Sequence, residues 1–197
     1  MHGLINRSLE YFLRDTYGND VWCDVAQRAG LEFERFEAMF EYDDALTYAV
    51  LEAASETLSK SCQTLLEDLG TYLVSNPRME SLRRLLRFGG ESFVEFLHSL
   101  DDLQGRAKLA VPELEMPKLT LLGGQDKGGF RLHCTGPPKG FGRVMRGLLR
   151  AMADDYGALV FLEDMGDDGS YGEIAITLVQ NQFAHGRDFS LAGPEGI

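Results

Sequence analysis

Two prolines, Pro112 and Pro117, divide the chain into halves of different periodicity, and that break constrains the fold more than any single motif. Before it, apolar residues recur at helical spacing. Leu4, Ile5, Leu9, Phe12 and Leu13 keep the period until Gly18, and "NDVWCDVAQRAG" starts on capping residues and closes on Gly30. "YDDALTYAVLEAASETLS" offers Asp43 and Asp44 as caps, and "SCQTLLEDLGTYLVS" offers Ser61. In "NPRMESLRRLLRFGG" an asparagine cap precedes Pro77 at the first helical position, and Gly89-Gly90 ends the helix. "FVEFLHSLDDLQGRAKLAV", residues 93–111, reads as one further amphipathic helix. After the prolines, "KLTLL" and "FRLHC" flank the glycine-rich "GGQDKGG" as a hairpin. "GRVMRGLLRAMADDYG" returns to the helical period, and "ALVFLED" and "GEIAITLVQ" form a second hairpin around "MGDDGSY". The expected fold is therefore α+β: a helical lobe over about 1–111, then a ββαββ lobe with antiparallel sheet over about 112–182. Residues 183–197 lack periodicity and read as a loose tail.

Composition narrows the function. No apolar run approaches the ~20 residues of a membrane helix, and the first residues lack the basic and apolar regions of a secretion signal. A cytoplasmic protein without membrane contact is expected. The net charge of −12 disfavours nucleic acid. "RRLLR" at 83–87 and Arg143, Arg146 and Arg150 at helical spacing read as solvated helix faces. Cys23, Cys62 and Cys134 are odd in number and have no CxxC spacing, which suits neither a disulfide framework nor a zinc site. "GPPKGFGRVMRG" matches no phosphate-loop pattern, and "DMGDDGSYGE" lacks the twelve-residue calcium loop. His2, His98, His133 and His185 are scattered, with no H-E-x-x-H or serine-elbow motif. No metal site and no enzyme are expected.

The helix at 93–111 raises the question of a ligand. At 100° per residue, Phe93, Phe96, Leu97, Leu100 and Leu103 fall on one side, and Gln104 falls within their stripe. His98 lies nearly opposite, with Asp102, and should meet solvent. An amide buried without a partner costs about 1–3 kcal/mol. Gln104 therefore needs a backbone group, a water or a bound molecule.

The order of elements, with "MHGLINRSLEYFLRDTYGNDVW", "YDDALTYAVLEAAS", "FLHSLDDLQ" and "MPKL", resembles the heme-nitric oxide/oxygen binding family (H-NOX, or HNOB), the sensor domain of soluble guanylate cyclases and bacterial gas sensors. The resemblance covers residues 1–182. It implies a heme-binding sensor fold whose proximal histidine stands at the end of an F-L-x-x-L-D-x-L-H pattern. Here that stretch reads Phe96-Leu97-His98-Ser99-Leu100-Asp101-Asp102-Leu103-Gln104, so the ligand position is Gln104. The family's propionate-binding Y-x-S-x-R falls on Cys134, Gly136 and Pro138, which lack its donors. Lys139, one residue on, offers a single charge contact.

By the same resemblance Ile5, Leu9, Leu73, Leu100, Leu103 and Pro117 correspond to the apolar surround of the heme, although core packing explains each equally well. The expectation is a stand-alone signal-transduction domain with a degenerate heme site and no cofactor. It would act on a separate signalling protein, either a histidine kinase or a cyclic-nucleotide or cyclic-di-nucleotide enzyme, and its trigger would be an apolar small molecule or none. The alternative is a working heme sensor with an unorthodox axial ligand, for which the Cys134 thiolate is a candidate. A small enzyme using Gln104 and Cys134 has no supporting constellation.

Overall fold

The structure, a computed structural model, describes residues 1–124, 129–167, 171–180 and 185–186. Helices α1 (Gly3–Tyr17), α2 (Asn19–Arg28), α3 (Asp44–Leu58) and α4 (Cys62–Ser75) form the first layer. Their starts follow the capping residues: Asp43 accepts the Ala45 N–H, and Ser61 accepts that of Thr64. Asn76 and Pro77 open a 3₁₀ turn, Pro77–Met79, before α5 (Glu80–Arg87). Next come α6 (Phe93–Ser99) and α7 (Leu103–Ala110), strands β1 (Lys118–Gly124) and β2 (Gly129–Thr135), α8 (Phe141–Tyr156), β3 (Leu159–Asp167) and β4 (Tyr171–Gln180). The strands make one antiparallel sheet in the order β1-β2-β4-β3. The expected α+β order of helices then ββαββ holds. The turn residues 125–128 and 168–170, and the tail at 183–197 apart from His185 and Gly186, lie outside the described residues.

The single helix expected over 93–111 is instead broken by a 3₁₀ turn at Leu100–Asp102. Asp101 causes the break from outside the helix, because its carboxylate accepts the Leu121 N–H of β1 at 2.7 Å and ties the turn to the sheet edge. Ser99 adds a bond from its hydroxyl to the Phe96 carbonyl at 2.7 Å, the type of local competition that weakens a helix interior. Three residues at 3₁₀ pitch advance the helical phase by roughly 60°. Gln104 is consequently half-buried rather than centred in the buried stripe.

Two apolar cores share α8. One joins Leu9, Phe12, Leu13, Trp22, Val50 and Leu65 of the first helices to Val144. The other packs Phe93, Phe96, Leu97, Leu100 and Leu103 against Leu132, Cys134, Ile174 and Ile176 of the sheet, with Met145 and Leu149 between. α4 and α8 meet at two glycines. A Cβ on Gly70 would strike the Val144 carbonyl oxygen, and one on Gly147 would strike that of Glu67. The two backbones can approach this closely only because neither residue has a side chain.

The basic stretches are solvated only in part, contrary to expectation: Arg150 is exposed, but most of these arginines turn to acidic partners. Arg146 and Arg150 both reach Glu67 of α4, at 3.0 and 3.5 Å, and Arg143 pairs with Asp164 of β3. Arg83 donates Nη2 and Nε to Asp155 at 2.7 and 3.0 Å, and both residues are buried. Asp155 sits near the C-terminus of α8, where the helix dipole disfavours an anion, so its burial depends on the arginine. Gly147→Ala is expected to force the helices apart and cost about 1–3 kcal/mol, as overpacking does. Urea unfolding of the variant against the parent measures it.

Candidate functional site

A cavity of about 200 Å³ opens between the first helices and α8. Ile5 and Leu9 of α1, one turn apart, face Leu66, Leu69 and Leu73 of α4, and Leu51 of α3 closes a third side. Pro138, Phe141 and Val144 bring the second lobe to the wall, and Leu82 and Leu114 complete it.

Few polar atoms serve this wall. Thr47 spends its hydroxyl proton on Asn6 Oδ1 at 2.6 Å, and Ser8 spends its own on the Leu4 carbonyl at 2.8 Å. Tyr48 Oη accepts the Lys139 N–H at 3.0 Å, while no described residue accepts the tyrosine proton. Tyr48 can therefore donate to a guest. An acidic cleft of about 220 Å³ adjoins the cavity, sharing Met1, Ile5 and Pro138 with it and bordered by His2, Glu41, Asp44, Glu113, Glu115 and Pro137. The Met1 ammonium lies 2.7 Å from Asp44 and 3.6 Å from Glu41. Burial pulls its pKa down, but the two carboxylates outweigh that and raise it. His2 caps α1, with Nδ1 accepting the Leu4 N–H at 3.2 Å.

A Haem-NO-binding family model matches residues 2–163. The chain belongs to that family. Soluble guanylate cyclase gcy-31 of Caenorhabditis elegans is 22% identical over 155 residues, which are 79% of this chain and 22% of that protein. Soluble guanylate cyclase 89Db of Drosophila melanogaster is 23% identical over 183 residues, 90% of this chain and 27% of that one. The chain thus spans about a quarter of the length of these relatives. Among solved structures, an H-NOX protein from S. oneidensis in the Fe(II)NO ligation state superposes with a TM-score of 0.75 at 14% identity, covering 90% of this chain and 99% of that one. An unliganded Fe(II) H-NOX mutant from K. algicida gives 0.76 at 18%, covering 92% and 98%. These likenesses show the H-NOX fold.

Within this H-NOX domain the residues singled out by sequence divide between places. Ile5, Leu9, Leu73 and Pro138 line the cavity. Leu100, Leu103 and Cys134 are buried in the sheet-side core, and none of them borders the cavity. Pro117 is buried beyond its wall, and Gly136 is half-buried in the turn after β2 with φ 104°. Gln104 donates Nε2 to the Met116 carbonyl at 2.8 Å, so its partner is a backbone group. His98 is exposed, its ring 5.7 Å from that of Phe130. No cluster of three or more potential metal ligands occurs among the described residues, and no helix there is long and apolar enough to cross a membrane.

Sequence reasoning missed Tyr48, Thr47 and the acidic cleft. The stretch "YDDALTYAVL" held the signal, since Asp44, Thr47, Tyr48 and Leu51 recur at three- and four-residue spacing on one helix face. Gln104→Ala is expected to remove the bond to Met116 and lower stability by about 1 kcal/mol. Thermal or urea unfolding reads that loss.

Proposed function

We propose that this chain is a regulatory H-NOX domain that does not bind heme in the family's manner and signals by contact with another protein. Residues 1–182 form the sensor on this reading, with lobes over about 1–111 and 112–182 and a tail at 183–197. The observation that carries it is the state of Gln104. The residue at the family's axial-ligand position is an amide whose nitrogen is committed to the Met116 carbonyl. An amide oxygen is a hard, weak donor to heme iron where imidazole is a good one. His98, the histidine of the same segment, is turned to solvent and Phe130.

The other anchors support the same reading. Cys134, Gly136 and Pro138 offer no guanidinium or hydroxyl to a propionate, and the exposed Lys139 is the nearest cation in that stretch. The space that Ile5, Leu9, Leu73 and Pro138 do line is about 200 Å³, against the roughly 150 Å³ that holds a single benzene ring, and Gln104 and Cys134 stand outside its wall. The residues present therefore do not fit heme. They fit a small apolar ligand, and occupancy would shift the helical lobe against the ββαββ lobe and alter a partner-binding surface. The partner on this reading is a separate signalling protein, a histidine kinase or a cyclic-nucleotide or cyclic-di-nucleotide enzyme.

The purified protein, supplemented with heme and passed through gel filtration, is expected to emerge without a Soret band. A stoichiometric Soret band that survives the column overturns the proposal. Gln104→His alone is expected to leave that outcome unchanged, because the propionate donors and the cavity volume are unaltered.

A further inference from the structure

We infer that the cavity binds a small molecule with one apolar ring or short chain and a single cationic head. This rests on the proposal that the cavity is not a heme site, and it names the ligand class. The body follows from volume and lining. About 200 Å³ walled by leucines, Ile5, Phe141 and Val144 accepts an apolar group slightly larger than the benzene that fills a 150 Å³ cavity.

The head follows from charge at the mouth. The adjoining cleft carries Glu41, Asp44, Glu113 and Glu115. Asp44 and Glu41 are paired with the Met1 ammonium, whereas Glu113 and Glu115 are exposed and form no ion pair among the described residues. His2 borders the same cleft with its Nδ1 already occupied by the Leu4 N–H. Lys139 borders the cavity but not the cleft, so it stands as one cation against two uncommitted carboxylates. An anionic head meets repulsion at Glu113 and Glu115, and a neutral one gains only the Tyr48 hydroxyl. A cation gains from both carboxylates without displacing an existing pair.

Benzylamine, benzyl alcohol and benzoate share one ring and differ in head charge. Their binding to isotope-labelled protein, followed through the amide resonances of Leu51, Leu69 and Glu113, tests the inference. The amine is expected to bind about fivefold tighter than the alcohol, the worth of one or two exposed ion pairs, and the acid most weakly. That preference should vanish in the Glu113→Gln/Glu115→Gln variant and at high salt, while binding of the alcohol is unchanged. Amine binding no tighter than that of the alcohol, or benzoate binding tightest, overturns the cationic head and leaves the apolar cavity standing. Failure of all three probes to move the wall resonances overturns the ligand class altogether. A Soret band in the heme experiment overturns the underlying proposal instead, so the two failures are distinct.

Discussion

The close approach of α4 and α8 at Gly70 and Gly147 is the constraint on which the rest of the molecule depends. There the helical lobe and the ββαββ lobe meet backbone to backbone, and no side chain larger than hydrogen fits at either glycine. Val144, whose carbonyl faces Gly70, also lines the cavity, and Leu66, Leu69 and Leu73 on the same stretch of α4 form the facing wall. The cavity is thus a gap beside a tight joint. Glu67 holds the joint from outside by taking Arg146 and Arg150, and Arg83 secures α5 to the far end of α8 through Asp155.

Local signals made much of this fold legible. Asp43 and Ser61 cap the helices that follow them, and the change of period after Pro112 marks the passage from helices to strands. What escaped the sequence depends on distant partners. The break in the 93–111 segment is set by Asp101 bonding Leu121, twenty positions away. The arginines looked like solvated faces because Glu67 and Asp155 lie 79 and 72 residues from Arg146 and Arg83. Helical periodicity says that a residue turns inward; it does not say toward what.

The candidate site shows the same limit. Leu9 and Leu100 are both buried, yet one belongs to the helical core and the other to the sheet-side core, and their periodic patterns are indistinguishable. Tyr48 was hidden for a different reason. Its interest lies in a hydroxyl that accepts from Lys139, which is brought to it by a turn 91 residues further along. Gln104 could be read as needing a partner, and the Met116 carbonyl supplies one twelve residues on, after the chain has reversed past Pro112.

These constraints also limit how such a domain can change shape. A rearrangement that preserves the α4–α8 contact has to place its motion in walls that neither helix forms, α1 and α3 among them. The start of α1 is itself gripped. Gly3 donates to the Phe40 carbonyl at 2.7 Å, and a Cβ there would collide with the Glu37 carbonyl oxygen. Glu10 holds the Phe36 N–H at 2.9 Å from the same helix. Displacing α1 at Ile5 therefore carries the 31–43 segment with it, and that segment exposes Met39 and Phe40 at 71% and 61%. The cavity wall thus has a mechanical path to the surface, and it runs through α1 rather than through α7, which holds Gln104.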